Sequence, residues 1–334
     1  MDNISLMKLY IKSMYNYFNF MRVCILYDYE FDPQQFLRGY EWEIVDVQRP
    51  VMGVLRPLSK KNHFDVYLNL CDGAEDEDYP GKDVVIALEQ LNLPFTGANS
   101  SFYNPTREHM QAIAEAYGIG FAKGFRARTV EDIAHRVNGL RYPLMVKHPS
   151  SYGSEGMTRD SRVDTLVQLR EQVDRLCSEF GSARVEEFIE GREFTVLVVD
   201  NPDNLNEPFV YPPAELIFPD GEEFLHSDVK WELWVYMKPV TDLALALRLQ
   251  EMSRRFFLGM KGSGYGRCDI RMNAKGELFM LEINPNCGIL YEPELLGPAD
   301  TVMDYDLDGH AGFLDRIFRS AIVRQRLRTK VKIM

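Results

Sequence analysis

Cysteine is sparse in this 334-residue chain: Cys24, Cys71, Cys177, Cys268 and Cys287 are scattered, odd in number and form no CxxC pair. That set fits reduced thiols in a cytosolic compartment better than a disulfide framework or a zinc site. Positive charge is also short. Against 50 Asp and Glu there are 38 Lys and Arg, a formal net charge of −12, which argues against a general nucleic-acid binder because phosphate neutralisation needs a basic face. No apolar run approaches the roughly eighteen residues of a membrane span, so no membrane association is expected. Walker A, GxSxG and HExxH motifs are missing, and the six histidines include no pair at ligand spacing.

What is present is an ordinary globular composition, 46% hydrophobic and 26% charged, with length enough for two or three domains. Residues 1–20 form an aromatic segment interrupted by Lys8 and Lys12. With no small-residue cleavage site they do not read as a secretory signal but as an N-terminal extension, or an upstream start before one at Met21, ahead of a strand at Met21–Tyr27. Strands at Trp42–Val47 and Phe64–Leu70, a helix at Val84–Leu91 and a short strand and turn at Leu93–Gly97 indicate an α/β domain over 21–105. A central unit over 106–190 follows. It has a helix from Pro105 to Tyr117, strands at Tyr142–Val146 and Arg184–Ile189, and an amphipathic helix at Asp164–Cys177. The third unit, 191–334, opens with a strand at Glu193–Val199. It continues through a wide loop over 201–238, a helix at Thr241–Gly259 and a helix from Ala311 to about Arg328.

The most informative stretch is Gly264–Gly288, which reads as a β-hairpin turning at Asn273–Gly276. Strand alternation sends Leu281 and Ile283 to one face and Glu282 and Asn284 to the other. If the hairpin pairs in register, Asp269 joins them. Two carboxylates and an amide oxygen form a hard donor set suited to Mg²⁺ or Mn²⁺ that also binds nucleotide phosphates. The alternative is a solvated edge of unrelated polar residues.

Between Pro149 and Gly156 lie Ser150, Ser151, Gly153 and Ser154, a small-residue loop able to approach phosphate oxygens, with Lys147 just before it. The acids Asp72, Glu75, Asp76, Glu77 and Asp78 follow the end of a strand, where open α/β sheets bind ligands. They read either as a solvated loop or as an attractor for a substrate amine. Asp304, Asp306, Asp308, Gly309 and Asp315 imitate a calcium loop, but the last position is not Glu and no helix is evident before it.

Taken in order, FDVYLNLCDGAEDEDYPG, LPFTGA, YPLMVKHPSSYGSEGM, RVEEFIEGREFTV, GYGRCDI and LEINPNCG resemble the D-alanine–D-alanine ligase-like group of the ATP-grasp superfamily, from about Phe64 to Gly288. The resemblance implies an α/β ATP-grasp fold of three subdomains, with ATP between the central and C-terminal ones. It implies a cytoplasmic ATP-dependent, ADP-forming ligase acting on small molecules with two Mg²⁺ or Mn²⁺ ions, and a possible homodimer. By position, Arg107 and Lys147 resemble the phosphate-gripping cations, and Ser150, Ser151, Gly153 and Ser154 the loop over the phosphates. Glu186 resembles the acid near the adenine amine, Glu187, Phe188 and Ile189 the linker that reads the adenine edge, and Glu193 the ribose-side acid. Leu281 falls among the nucleotide contacts, and Lys230 matches a lysine of a loop over the active site. Asp269, Glu282 and Asn284 match the metal ligands. Arg267, Gly288, Lys230 and Ser154 form the catalytic set, with Arg267 and the Gly288 amide facing the reacting carboxylate.

Several positions differ from the group. Arg107 stands in place of a lysine, the glycine, serine and glutamate pattern after the first strand is absent beyond Tyr27, Trp231 replaces a tyrosine, and Pro293 lies near the position of a serine. The ATP and metal residues are kept while amino-acid recognition is altered, so peptidoglycan dipeptide synthesis is not expected. The expected reaction activates a carboxylate as an acyl phosphate and joins it to an amine. Two alternatives stand beside it: a mycosporine-type ligase that phosphorylates a cyclohexenone enol, and an ATP-binding regulator without turnover.

Overall fold

The computed structural model describes residues 21–27, 35–61, 63–73, 78–149, 155–226, 236–291 and 297–333. The first apolar runs form a parallel sheet: β1 (Arg22–Tyr27) lies between β2 (Glu41–Asp46) and β3 (Val66–Asn69). Helices α1 (Val51–Lys61) and α2 (Lys82–Gln90) accompany it. Sequence reading passed over α1, whose Gly53 and Pro57 are helix breakers by propensity. Its buried stripe of Val51, Leu55 and Leu58 overrides them. The short strand expected near Phe95 is a single bridge to Tyr67.

Helix α3 (Arg107–Ala116) begins at Thr106, whose hydroxyl accepts from the His109 N–H at 3.2 Å, an N-cap that fixes where the helix starts. An antiparallel sheet of order β4-β7-β5-β6 follows. It comprises β4 (Gly124–Ala127), β5 (Leu144–Lys147), β6 (Arg162–Val163) and β7 (Ala183–Glu187). Its cover is α4 (Asp132–Arg136) with α5 (Leu166–Phe180), the latter opened by a Thr165 and Gln168 capping box. Phe125, Val146, Val163, Leu169, Val173 and Val185 belong to a core confined to this unit.

The third unit is a six-stranded antiparallel sheet with β8 (Arg192–Val199), β9 (Phe209–Val210), β10 (Ala214–Ile217) and β11 (Tyr236–Pro239). It is completed, across α6 (Leu243–Gly259), by β12 (Tyr265–Met272) and β13 (Leu278–Pro285). The wide loop expected over 201–238 is therefore corrected. Three of these strands fall within or overlap it, each only 2 or 4 residues long, too short to register as periodic runs beside Pro212 and Pro213. Helices α7 (Pro298–Asp304) and α8 (Gly309–Ile333) complete the chain. Among the described residues no helix is long and apolar enough to cross a membrane.

The cores do not follow chain order. Ile25 and Leu68 of the first sheet share a cluster with Leu197, Tyr265, Phe313, Ile317 and Phe318. Cys24 and Val85 share another with Val196, Phe256 and Ile283. At the junction, Arg324 of α8 donates to the carbonyls of Gly97 and Phe95, each at 2.9 Å. Gly97 has φ +83, and a Cβ there would come within 1.8 Å of Asn286 Oδ1, so only glycine allows this approach.

Candidate functional site

The hairpin pairs in the register that the site needs. Asp269 lies opposite Glu282 and Arg267 opposite Asn284, while Asp269 and Arg271 lie opposite Thr195 and Glu193 on β8. A register shift after Asp269 leaves Leu281 as the extra residue of a bulge, a device that re-aims neighbouring side chains. Alternation then sorts the faces. Phe194, Val196, Cys268, Ile270, Met280 and Ile283 go into the core, and Glu193, Thr195, Arg267, Asp269, Arg271, Glu282 and Asn284 share the other face.

On that face the contacts are dense. Arg267 makes a two-pronged pair with Asp269, Nε to Oδ1 at 3.1 Å and Nη2 to Oδ2 at 3.0 Å. Thr195 donates to Asp269 Oδ1 at 2.9 Å, and Asn284 Nδ2 donates to Asp269 Oδ2 at 2.9 Å and Glu282 Oε1 at 3.3 Å. The three residues expected to hold a metal therefore converge. Burial opposes the Arg267 charge, but Asp269 outweighs it and raises its pKa. Arg271 donates to Glu193 Oε2 at 2.8 Å and to the Ile189 carbonyl at 2.7 Å. Even so, burial leaves the Glu193 carboxyl above its usual pKa.

Across from this face stand α3 and the four-stranded sheet. Arg107, at the first turn of α3, pairs with Glu282 and donates to the Leu281 carbonyl at 3.4 Å. Lys147 at the end of β5 pairs with Glu186 on β7, and Arg184 Nε reaches the other Glu186 oxygen at 3.1 Å. Arg107, Lys147 and Arg184 thus crowd around Glu282 and Glu186, with the exposed Glu108 3.6 Å from Arg184, a surplus of inward-facing positive charge that accords with the titration behaviour. Burial and then Arg107 depress Lys147. Burial would raise Glu186, yet Lys147 and Arg184 bring it down to about 2. Glu282 is likewise held low, against its burial, by Arg107 and Lys147. A buried cluster short of negative charge is matched to an anionic ligand.

In the linker, the Glu187 and Phe188 amides donate to the Lys123 and Pro143 carbonyls, each at 2.9 Å. The Glu187 carboxylate turns to Arg141, accepting its backbone N–H at 3.0 Å. Phe188 packs edge-on to Phe224 under the Arg271 guanidinium, 4.7 Å from the ring centre.

Beyond the metal-ligand positions, the hairpin exit closes a second space. Tyr27, Asn69, Leu70, Asp72, Tyr265, Asn286, Cys287, Gly288, Ile289 and Tyr291 line a cleft at the ends of β1 and β3. Its described lining holds one carboxylate and no lysine or arginine. A Cβ on Gly288 would lie 2.1 Å from Tyr291 Oη, so a side chain here would displace the phenol from the cleft wall. Burial pushes the Cys287 thiol up to about 12, which keeps it protonated.

Ser150, Ser151, Gly153, Ser154, Lys230, Trp231, Pro293 and Glu75–Glu77 lie outside the described residues. The calcium-loop imitation is set aside on geometry. A helix, α7, does precede it, contrary to expectation, but Asp304 pairs with His310 at 3.3 Å, Asp308 with Arg316 at 3.1 Å and Asp315 with Arg319 at 3.3 Å. Sequence reading missed Arg184, Thr195 and Arg271. Each stands two positions from an assigned acid on an alternating strand, the signal that could have found them.

The D-ala D-ala ligase C-terminus family matches residues 115–291, just over half of the chain. A D-alanine–D-alanine ligase of Mannheimia succiniciproducens is 26% identical over 262 residues, 75% of this chain and 79% of that protein. One from Haemophilus influenzae is 26% identical over 243 residues, 69% and 75% of the two chains. The solved D-alanine–D-alanine ligase of Coxiella burnetii superposes with a TM-score of 0.69 at 17% identity, covering 93% of this chain and 96% of that one. The Bacillus anthracis enzyme complexed with ATP gives 0.66 at 18% identity, covering 93% and 99%. With three α/β units joined around the hairpin face and a family match across the central and third of them, the chain has the ATP-grasp fold and belongs to the D-Ala–D-Ala ligase family of ADP-forming carboxylate–amine ligases.

Proposed function

We propose that this chain uses ATP and Mg²⁺ to phosphorylate a carboxylate and join it to an amine, an amino acid or a related metabolite, releasing ADP and phosphate. One observation carries the reading. Asp269, Glu282 and Asn284 converge beside Arg267, and two further cations, Arg107 and Lys147, face them from opposite elements. The nucleotide would lie between the central unit over 106–190 and the unit from 191.

The donor set fits a hard divalent cation. Asp269 and Glu282 supply carboxylates, and a half-turn of the Asn284 amide presents its oxygen to the same point. Both carboxylates are neutralised here by Arg267 and Arg107, so a bound cation would take over part of that pairing. A divalent cation held there by Asp269, Glu282 and Asn284 would supply charge neutralisation for the transferring phosphoryl group. Arg107 and Lys147 exchange Glu282 and Glu186 for phosphate oxygens, Glu193 with Arg271 holds the ribose side, and residues 187–189 hold the base. Arg267 and the Gly288 N–H stabilise the charge that develops on the carbonyl oxygen when the amine attacks. Ser150, Ser151, Gly153, Ser154 and Lys230 keep the phosphate-covering roles that the resemblance gives them. The Asp72 carboxylate and the phenols of the adjoining cleft suit an amine-bearing substrate.

ADP release is to be measured with ATP and Mg²⁺ against panels of amino acids and carboxylates, with cyclohexenones as a further arm. Substrate-dependent ADP release matched by a coupled product is expected. Turnover only with cyclohexenones would move the phosphorylated group to an enol oxygen. ATP binding without stimulated ADP release from any arm would leave a nucleotide-binding regulator.

A further inference from the structure

Arg184 is the one guanidinium of the cradle to which the proposed function gives no task. Its side chain is fully buried, and strand alternation sets it on the same face of β7 as Glu186. Nε donates to Glu186 Oε2 at 3.1 Å, Nη2 donates to Gln111 Oε1 at 2.7 Å, and Nη1 stands 3.6 Å from Glu108. Among the described residues Nη1 has no hydrogen-bond partner despite its burial. Gln111 and Glu108 belong to α3, the helix that carries Arg107 and packs against β13 and α6. Arg184 therefore spans from the four-stranded sheet to the helix seated on the six-stranded one. Burying a guanidinium is unfavourable unless it is fully paired, and an aliphatic side chain would fill this place at less cost.

Resting on the ATP reading above, we infer that Arg184 is a positioning residue. It fixes the Glu186 carboxylate and keeps it neutralised while Lys147 transfers from Glu186 to a nucleotide phosphate. Without Arg184, release of Lys147 would strand a buried, uncompensated carboxylate, and ATP binding would bear that cost.

The test is a double-mutant cycle on ATP affinity at fixed Mg²⁺, with thermal melts confirming that each variant is folded. The expected result is that Arg184→Leu weakens ATP binding about tenfold, within the coupling range of contacting residues, that Arg184→Lys recovers most of the loss, and that Arg184→Leu adds little in a Glu186→Gln background. An unchanged ATP affinity in Arg184→Leu, or an equal loss with and without Glu186, would overturn the inference. Absence of ATP binding by the unmodified chain would instead overturn the ATP reading on which it rests.

Discussion

The hairpin exit separates two spaces made of opposite materials. Toward α3 and the four-stranded sheet, Arg107, Lys147, Arg184, Arg267 and Arg271 are interleaved with Glu186, Glu193, Asp269 and Glu282 at ion-pair distance. Toward β1 and β3, phenols, amides, a protonated thiol and Asp72 line a cleft without a described cation. The first suits a ligand of high and fixed charge, since each carboxylate has a cation that the ligand can take over. The second suits a ligand recognised by shape and by one positive group. Under the proposed function, phosphoryl transfer would lie on one side of Gly288 and substrate selection on the other.

The comparison breaks most readily at the metal ligands. Replacing Glu282 and Asn284 together by alanine should lower turnover by about 100-fold or more, the scale for removing electrostatic support from charge in a transition state. Near-normal ADP release at ordinary Mg²⁺ would remove phosphoryl transfer from the cradle. A smaller effect sharpens the division. Asp72→Asn should raise the KM for the amine by about tenfold, the worth of one hydrogen bond to a charged group, and leave the KM for ATP unmoved. A change in both constants would mean that the two spaces are not separate.

The smallest effect concerns acid stability. Glu186 is held at about 2 in the folded chain against 4.5 for an ordinary glutamate carboxyl. Its contribution is therefore fully present above 4.5 and is lost as the pH falls toward 2. The loss should not exceed about 3 kcal/mol, and Glu186→Gln should flatten the decline in melting temperature between pH 5 and 3. An unchanged slope would mean that the cradle does not hold this carboxylate charged.

The metal-ligand face of the cradle was legible in the sequence through periodicity, whereas Arg107, Lys147, Glu186 and Glu193 were assigned through the family resemblance. Asp269, Glu282 and Asn284 interrupt strands whose alternation assigns them a face, and turn chemistry at Asn273–Gly276 closes the hairpin. The bulge at Leu281 was not legible, because one extra residue leaves the apolar count intact while shifting the pairing. Arg184 and Arg271 were overlooked since a lone arginine in a strand reads as solvated, and only the folded structure shows them at 0% and 2% exposure. The edge strands β9, β10 and β11 failed for length: two to four residues contain no period to detect. The cleft was the least legible part, because its lining joins Tyr27, Asn69 and Tyr265 from segments far apart in the chain.

The shared core under β1 has a consequence for biosynthesis. Val23, Ile25 and Leu68 emerge early from the ribosome, whereas Phe313, Leu314, Ile317 and Phe318, which cover them, are among the later residues to be made. The first sheet thus remains open on one side through most of translation, a period in which exposed strands favour misassembly. Arg324 reaches Phe95 and Gly97 only after that wait. The first sheet is therefore fastened by α8, a segment made well after it.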